Sequence, residues 1–404
     1  MPRVLSNRTR RRTLVAPTRL ANIIASNNTP SQSRQSRLGQ LLAIPHTTSK
    51  PLSIPAINNA MTIPQSTAEM PAMMYGTAWK KERTADLVYQ AIKAGFRGID
   101  TAAMKKHYDE AGTGEGIRRA IREGICTRKD LFIQTKFTPL DNTSAYSPAD
   151  PIPAQIDASI ASSLANLFPD DPLSDPPDGG DGGGGGGRPY LDALILHSPF
   201  PTVQQTVEAW NALQAYLPAA QQGSSPAGGH RAGQGPDRRA GTILRLGISN
   251  VTLPVLRALA SSSSSSGSSG SAAPQIVQNR FRAAEAAWDA DVRAWCAARA
   301  AAYQGFWTLT ANGAVWQRAG FVADVARGAG VSRPGAWYAL LALAARMVVL
   351  NGTTDPAHMR EDLEALERVR AWRETAAGRE VWARCVAEFG RLVGGVAVDR
   401  VDGS

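Results

Sequence analysis

The stretch LDALILH, Leu191–His197, contains the apolar run Ala193–Leu196 and ends in the imidazole of His197. It lacks a strict alternation of polar and apolar residues, which is typical of a parallel strand covered on both faces. Similar short runs recur along the chain, each followed by a stretch with helical periodicity. They predict eight strands, at Met74–Gly76, Gly98–Ala102, Leu131–Lys136, Leu191–His197, Ile243–Ser249, Ile276–Phe281, Phe306–Thr310 and Met347–Leu350.

Helical periodicity between these runs is clearest at three places. The apolar faces are marked by Leu87, Ala91 and Ile92, by Ile156, Ile160, Leu164 and Leu167, and by Val203, Val207, Trp210 and Leu213. Eight strand–helix units in about 300 residues predict an α/β fold, a (β/α)8 TIM barrel. The alternative is a doubly wound open sheet, which needs a Gly-rich phosphate turn after its first strand. GTGEG at Gly112–Gly116 follows a polar stretch instead, so it is a weak dinucleotide signal.

The basic charge of the chain is concentrated at its start. The net charge is +10, but Met1 to Ala68 holds eight Arg, Lys50 and no acidic residue, so this part carries +9 and the rest +1. A nearly neutral body argues against an extensive phosphate-binding surface, and no nucleic-acid partner is expected. No run of eighteen apolar residues occurs, so no membrane span is expected either.

Because it is basic and contains almost no acidic residues, the segment of residues 1–70 is predicted to be a disordered tail. Because this tail is rich in Arg and Ser and free of acid, a mitochondrial transit peptide is an alternative, and an RNA-binding arm is another. A cytoplasmic location is expected, with a mitochondrial one as the alternative. The remaining domain, 71–395, is predicted to be the barrel.

Low-complexity stretches interrupt this domain near residues 170–189, 218–242 and 261–273. The first contains six consecutive glycines, the second is rich in Gly, Gln and Arg, and the third is almost pure Ser and Gly. None of them can bury enough apolar surface to fold, so each is predicted to be a flexible insertion in a loop.

Cysteine and histidine usage gives no sign of a metal centre. Cys126, Cys296 and Cys385 lie far apart and form no CxxC pair, and no two of the five histidines have metal-ligand spacing. This pattern argues against a disulfide framework or a zinc cluster and suits a reducing compartment.

Reactive side chains are expected where barrel strands end, because the carboxyl ends of the strands form the functional face. The second, third and fourth predicted strands bring Asp100, Lys136 and His197 to that face. These side chains also have ordinary alternatives: Asp100 as a helix cap, Lys136 reaching solvent, and His197 as a core histidine.

Nine motifs, most of them at strand ends, resemble those of the aldo-keto reductase family, in the same order, over Tyr75 to Val369. They are YGTAWK (Tyr75–Lys80), GIDTA (Gly98–Ala102), HYDE (His107–Glu110), LFIQTKF (Leu131–Phe137), LDALILHSP (Leu191–Pro199), LGISN (Leu246–Asn250), QNRF (Gln278–Phe281), FWTLT (Phe306–Thr310) and NGTTDPAHMREDL (Asn351–Leu363).

The resemblance implies that Tyr108 is a general acid that protonates a carbonyl oxygen. It also implies that Lys136 lowers the tyrosine pKa, that Asp100 pairs with Lys136, and that His197 orients the carbonyl. The chemistry is consistent, since a nearby cation favours an ionised tyrosine and a buried ammonium needs a counter-ion.

The position of the tyrosine departs from the family pattern. The family usually has it five residues after the aspartate, where this chain has Lys105, and Tyr108 comes eight residues after. We interpret this as a three-residue insertion within Ala103–His107, which resembles a fungal-type subset of the family. The alternative is that Tyr108 is an ordinary loop residue.

The resemblance also implies a nicotinamide cofactor. Ser249, Asn250 and Gln278 match the residues that hold the nicotinamide carboxamide, and Trp307 takes the place of the aromatic residue that stacks on the ring. As alternatives, Gln278 satisfies backbone groups and Trp307 is a core residue.

The phosphate end of the cofactor site is less faithful to the family. Where the family commonly places a Lys and an Arg on the 2′-phosphate, this chain has Gly352 and His358. Thr353, Thr354 and Arg360 bring donors and charge that suit a phosphate, although Arg360 is equally consistent with a solvated helix surface. NADP(H) is the expected cofactor, with NAD(H) as the alternative.

The expected function is NAD(P)H-dependent reduction of an aldehyde or ketone, a small-molecule substrate, to an alcohol. The alternative is a catalytically silent relative that binds a nicotinamide nucleotide as a sensor or partner subunit. The sequence does not predict the individual substrate or the oligomeric state.

Overall fold

The computed structural model describes residues 70–139, 141, 145–169, 189–218, 242–261, 272–285 and 287–394. Of the two units into which the chain divides, the second, Ala56–Ser404, contains all the described residues. Residues 1–69 of the predicted N-terminal tail and nearly all of the three predicted insertions lie outside the described residues, whereas Met70, the last residue of that tail as predicted, is buried in the barrel unit.

A closed parallel barrel forms the centre of the second unit, with its strands in chain order. Within the described residues the strands are β1 (Met73–Gly76), β2 (Gly98–Asp100), β3 (Phe132–Phe137), β4 (Ala193–Leu196), β5 (Leu246–Ser249), β6 (Ile276–Arg280), β7 (Ala302–Phe306) and β8 (Val348–Asn351). Pairing of β8 with β1 closes the barrel. The predicted TIM barrel is confirmed, and the open-sheet alternative is wrong.

The helices follow the strands. They are α1 (Thr84–Ala94), α2 (Glu110–Arg122), α3 (Ile152–Leu167), α4 (Val203–Gln214), α5 (Leu253–Ser261), α6 (Ala290–Ala298), α7 (Gly313–Trp316), α8 (Gly320–Ala329), α9 (Arg333–Ala339), α10 (Pro356–Arg373) and α11 (Ala376–Leu392). The three predicted helices correspond to α1, α3 and α4. Val203 does not belong to the buried face, because it opens α4 directly after the N-cap Thr202 and is 49% exposed.

The seventh strand was predicted four residues too late. The strand is Ala302–Phe306, and it shares only Phe306 with the predicted Phe306–Thr310. Trp307 ends it with a left-handed φ of +56°, and Thr310 begins a short 3₁₀ turn. Gly305 makes the true strand look weak in sequence, but the position admits little else: a Cβ there would lie 2.4 Å from the Met347 sulfur.

The glycines of GTGEG lie inside α2 and allow close helix packing. A Cβ on Gly116 would lie 2.5 Å from the Ala85 carbonyl oxygen of α1, and one on Gly114 would lie 2.5 Å from the Asn166 carbonyl oxygen of α3. A phosphate turn would need these glycines ahead of a helix rather than within it. Their role is therefore packing.

The interior of the barrel is layered, and the layering sets the position of the polar groups. An apolar cluster fills one level, comprising Met70, Met74, Phe132, Ala193, Ile195, Ile276, Ala302 and Val348. Gln304 touches this level, since its side-chain nitrogen lies 3.4 Å from the Met70 sulfur. Its amide also hydrogen-bonds to Gln134 and Gln278, which places a polar layer directly on the apolar one.

Two further findings concern the described residues alone. No helix among them combines the length and apolar character that crossing a bilayer requires. No three His, Cys, Asp or Glu side chains cluster there in a way that could hold a metal ion, and Cys126, Cys296 and Cys385 are buried free thiols.

Gly116→Ala should destabilise the protein, because the added methyl group meets the backbone of α1 and has no room to move. Overpacking of this kind costs about 1–3 kcal/mol. Gly320→Ala is the matched control, since nothing lies within 4 Å of the Cβ position in that helix. Urea unfolding should show the loss for Gly116→Ala only; equal stability of the two variants would refute the packing role.

Candidate active site

An ion pair between Lys136 and Asp100 lies at the carboxyl end of the barrel. Asp100 ends β2 and Lys136 lies near the end of β3, and the Lys136 Nζ is 2.7 Å from each oxygen of the carboxylate. Lys136 is 1% exposed and Asp100 3%. The cap of α2 is Asp109, not Asp100, so the alternatives of a capping Asp100 and a solvent-directed Lys136 are wrong.

Further hydrogen bonds hold this pair in place. Lys136 Nζ also donates to the Thr101 carbonyl oxygen at 2.8 Å. The side-chain amides of Gln134 and Gln278 donate to Asp100 Oδ1 at 2.7 and 3.1 Å, and both also donate to Gln304 Oε1. A buried pair is tolerated only when its remaining donors and acceptors are satisfied in this way.

Tyr108 reaches this pair through a tight turn in the segment between β2 and α2. The N–H groups of His107 and Tyr108 both donate to the Met104 carbonyl oxygen at 3.0 Å, so the chain doubles back. Asp109 then caps α2 by accepting from the Gly112 N–H. The Lys136 Nζ lies 5.1 Å from the centre of the Tyr108 ring, so the tyrosine lies beside the ion pair.

The buried side chain of Glu110 anchors the helix that follows Tyr108. Thr135 Oγ1 donates to Glu110 Oε1 at 2.6 Å, which ties the start of α2 to β3. Burial raises the pKa of Glu110. Because Glu110 is two residues from Tyr108, this contact limits the freedom of the tyrosine backbone.

Opposing effects act on the Tyr108 hydroxyl. Burial raises its pKa, and the Lys136 ammonium lowers it through charge and hydrogen bonding, but burial is the larger effect. Lys136 thus acts in the direction that the resemblance implied, while the net pKa of Tyr108 is raised. The hydroxyl keeps its proton at neutral pH, as a general acid requires.

His197 lies beside Tyr108 as a neutral imidazole. The two ring centres are 6.0 Å apart. Burial, reinforced by the charges of Lys136 and His107, lowers the pKa of His197 to about 3. Its Nδ1 lies 2.8 Å from the Thr138 hydroxyl. A hydroxyl that donates to Nδ1 leaves the imidazole proton on Nε2.

Asn250 and Trp307 follow the ends of β5 and β7 and both have left-handed backbone conformations, which asparagine adopts readily and tryptophan rarely. Asn250 has a φ of +53°, and its side-chain amide donates to the His197 carbonyl oxygen at 2.9 Å and to Ser249 Oγ at 3.2 Å. Trp307 has a φ of +56° and is 50% exposed. The Arg280 Cζ lies 4.1 Å from the centre of its ring. Left-handed backbone at a bulky residue is costly and is concentrated at functional sites. Trp307 is therefore not a core residue.

A cavity of about 810 Å³ opens above the polar layer. Eight of the residues singled out from the sequence line it: Asp100, Tyr108, His197, Ser249, Asn250, Gln278, Trp307 and Thr353. Lys136 lies beneath them. Thr354 and Arg360 are exposed and do not line the cavity.

The cavity also contains residues that the sequence reasoning missed. Lys80, Trp79 and His107 line it, as does Arg280, the last residue of β6. Asp100, Lys136 and His197 were predicted from the ends of three strands. The end of β6 would have indicated Arg280 in the same way. The buried amides of Gln134 and Gln304 had no comparable signal, because 170 residues separate them in the chain.

The cavity wall suits a nucleotide that carries phosphate and amide groups. Thr308 is buried at the wall, and its hydroxyl has no hydrogen-bond partner among the described residues. Lys80 and Arg280 bring positive charge to the same wall. A cavity lined by an unmatched buried hydroxyl and two cationic side chains fits a ligand with anionic oxygens.

Comparisons with known proteins give short sequence matches. No family model matches the chain. It is 48% identical over 68 residues to the NAD(P)H-dependent D-xylose reductase of Pachysolen tannophilus, and 51% identical over 70 residues to the NAD(P)H-dependent pentose reductase of Pyricularia oryzae. Each match covers 17% of this chain and 20% of the relative, so the chain spans about a fifth of the length of these curated relatives.

Solved structures match over most of the chain. A Bombyx mori aldo-keto reductase in complex with NADP has a TM-score of 0.54 at 19% identity, covering 80% of this chain and 90% of that one. The aldose reductase of Schistosoma japonicum has a TM-score of 0.54 at 14% identity, covering 80% and 92%. The fold is that of the aldo-keto reductases, and the resemblance found in the motifs is confirmed.

The depressed pKa of His197 makes a pH-dependent contribution to stability. Below pH 6.5 the unfolded chain binds a proton at this residue and the folded protein does not, so stability is lost as pH falls toward 3. From pH 6.5 to 5 this amounts to about 2 kcal/mol, from 1.5 pH units at 1.36 kcal/mol each.

His197→Asn should therefore flatten the fall in unfolding free energy between pH 6.5 and 5. His358→Asn is the control, since that side chain is 63% exposed and should leave the pH profile unchanged. Denaturant unfolding at several pH values measures both. A steep profile retained in His197→Asn would show that the imidazole is not held neutral.

Proposed function

We propose that the chain is an NAD(P)H-dependent reductase of the aldo-keto reductase type, which converts an aldehyde or ketone to an alcohol. The observation that carries this proposal is the arrangement around Tyr108. A protonated hydroxyl lies beside a buried ammonium and a neutral imidazole, at the floor of a cavity large enough for a cofactor and a small molecule.

The bound nicotinamide supplies the hydride in this proposal. Tyr108 donates its proton to the carbonyl oxygen, which gains negative charge as the carbon is reduced. Lys136 stabilises the resulting tyrosinate by its charge, and Asp100 keeps the ammonium buried and oriented. His197 offers its Nε2–H to the same oxygen when its Nδ1 accepts from the Thr138 hydroxyl.

The cofactor is held by side chains at the ends of several strands. Ser249, Asn250 and Gln278 would hold the nicotinamide carboxamide, and Trp307 would stack on the nicotinamide ring. Gln278 donates to both Asp100 and Gln304, so it links the cofactor site to the ion pair. The substrate is a small carbonyl compound that enters the same cavity. The relatives with matching segments are named as xylose and pentose reductases.

Tyr108→Phe removes the proposed general acid and should lower kcat by about 10²–10⁴-fold. The affinity for the cofactor should stay the same, since the ring remains and only the hydroxyl is lost. Oxidation of NADPH with a panel of aldehydes and ketones measures kcat, and calorimetry measures cofactor affinity. Tyr89→Phe is the control, because the Tyr89 hydroxyl on α1 donates to the exposed Glu123 at the end of α2.

Unchanged turnover in Tyr108→Phe would remove this residue from the mechanism. A wild-type protein that binds the nucleotide but reduces no carbonyl would contradict the reductase and favour a silent, nucleotide-binding relative. A wild-type protein that binds neither NADPH nor NADH would contradict both.

A further inference from the structure

Two fully buried glutamines, Gln134 on β3 and Gln304 on β7, face each other inside the barrel. Their side-chain amides form a reciprocal pair, in which each Nε2 donates to the other Oε1 at 2.9 Å. Both residues lie beneath those that line the cavity. Because the pair would be equally satisfied with both amides turned over, something outside it must set its direction.

The Asp100 carboxylate sets this direction. An ionised carboxylate only accepts hydrogen bonds, and Asp100 Oδ1 lies 2.7 Å from the Gln134 amide. The Gln134 group on that side must therefore be the Nε2. This leaves Gln134 Oε1 to accept from Gln304, and Gln304 Oε1 to accept in return. The charge of Asp100 thus determines the orientation of Gln304 through Gln134.

Gln278 is held by the same two acceptors. Its Nε2 donates to Asp100 Oδ1 at 3.1 Å and to Gln304 Oε1 at 2.8 Å, so both of its amide hydrogens are used inside the barrel. Turning this amide over would bring its oxygen against two other oxygens. Gln278 also lines the cavity, and it therefore offers a ligand an acceptor rather than a donor.

The neighbouring Asn250 and Ser249 have equally defined directions. Asn250 Nδ2 donates to the His197 carbonyl oxygen at 2.9 Å and to Ser249 Oγ at 3.2 Å, which leaves the Asn250 oxygen as an acceptor. Ser249 accepts in that contact and keeps its hydroxyl hydrogen to donate. Two acceptors and one donor match a primary carboxamide, which has two N–H bonds and one carbonyl oxygen. A carboxylate, which only accepts, would meet two oxygens.

We propose that Gln304 and Gln134 are positioning residues that fix the direction of the Gln278 amide, and thereby make the cavity select a nicotinamide nucleotide over the same nucleotide with a free carboxylate. This inference rests on the proposed function. It gives Asp100 a second role, because the charge that holds Lys136 also orients the amides that read the ring substituent.

Binding of NADP⁺ and of its nicotinic acid analogue, measured by isothermal titration calorimetry, tests this proposal without relying on turnover. The wild-type protein should bind NADP⁺ about 10–100-fold more tightly, because the analogue brings an unmatched charged group to two oxygens. NAD⁺ and its acid analogue are used if the protein prefers NAD⁺.

Gln304→Met keeps the length of the side chain and removes the acceptor. Gln278 then retains one of its two hydrogen bonds and is free to turn its N–H groups toward a carboxylate. The preference for NADP⁺ over the analogue should fall by about 10-fold, which corresponds to one hydrogen bond. The variant has the same net charge as the wild type, so the general attraction of the cavity for the extra negative charge does not change.

Gln304→Glu is the rescue variant. Burial favours the protonated form of a carboxylic acid at this position. Its carbonyl oxygen then accepts as the amide oxygen does, and its O–H donates to Gln134 Oε1 in place of the N–H. This variant should keep most of the wild-type preference, which a loss of packing alone would not explain.

Gln155→Met is the matched control. Gln155 is equally buried, on α3, and its Nε2 donates to the carbonyl oxygens of Pro148 and Asp150. The control should be less stable than the wild type but should show the same preference. Thermal unfolding without nucleotide checks that each variant is folded, and Gln134→Met, which breaks the pair from its other side, serves if Gln304→Met is not.

An equal loss of affinity for both nucleotides in Gln304→Met would indicate a merely structural role and would overturn the proposal. An unchanged preference in that variant would also overturn it, as would a wild-type protein that binds NADP⁺ and the analogue equally well. A wild-type protein that binds none of these nucleotides would contradict the proposed function itself, so the two failures are distinguishable.

Discussion

The ion pair of Lys136 and Asp100 is the constraint on which the carboxyl end of the barrel depends. Removing two charges from water costs several kcal/mol for each ion, and their attraction offsets this only with good geometry and saturated hydrogen bonding. Both carboxylate oxygens lie 2.7 Å from the ammonium, and Thr101, Gln134 and Gln278 supply further hydrogen bonds. Asp100 ends β2, Gln134 and Lys136 belong to β3, and Gln278 belongs to β6, so the pair gains its full set of hydrogen bonds only when the barrel brings these strands together.

The chemistry of Tyr108 and His197 follows from this pair. The fixed ammonium opposes the effect of burial on the tyrosine and adds to the effect of burial on the histidine. One cation therefore favours release of the Tyr108 proton and keeps the imidazole neutral. Two uncharged donors facing one cavity suit the protonation of an oxygen on which negative charge develops.

The sequence contained enough information for the barrel and for three of the four proposed catalytic residues. Asp100, Lys136 and His197 follow from strand ends, because parallel strands bring their carboxyl ends to one face. The seventh strand was misplaced because Gly305 weakens its pattern, and glycine is required there by the approach of Met347. Tyr108 was found by resemblance alone, since no periodicity indicates where a loop returns to the site.

Contacts between distant parts of the chain explain what the sequence did not reveal. The Gln134–Gln304 amide pair joins β3 to β7, and Lys80 meets Gly352 across 272 residues. Such contacts exist only once the barrel has closed. Thr354 and Arg360 were selected for their chemistry in a matching motif, and the start of α10 leaves both of them exposed.

A crystal structure of the protein with NADP⁺ bound is the most direct test that this barrel end is a reductase site. We expect the nicotinamide ring to stack on Trp307. The Tyr108 hydroxyl should face the place where a substrate carbonyl group would lie. That place is within about 3–3.5 Å of the nicotinamide C4. A nicotinamide bound away from Tyr108, or a hydroxyl turned away from it, would contradict the account.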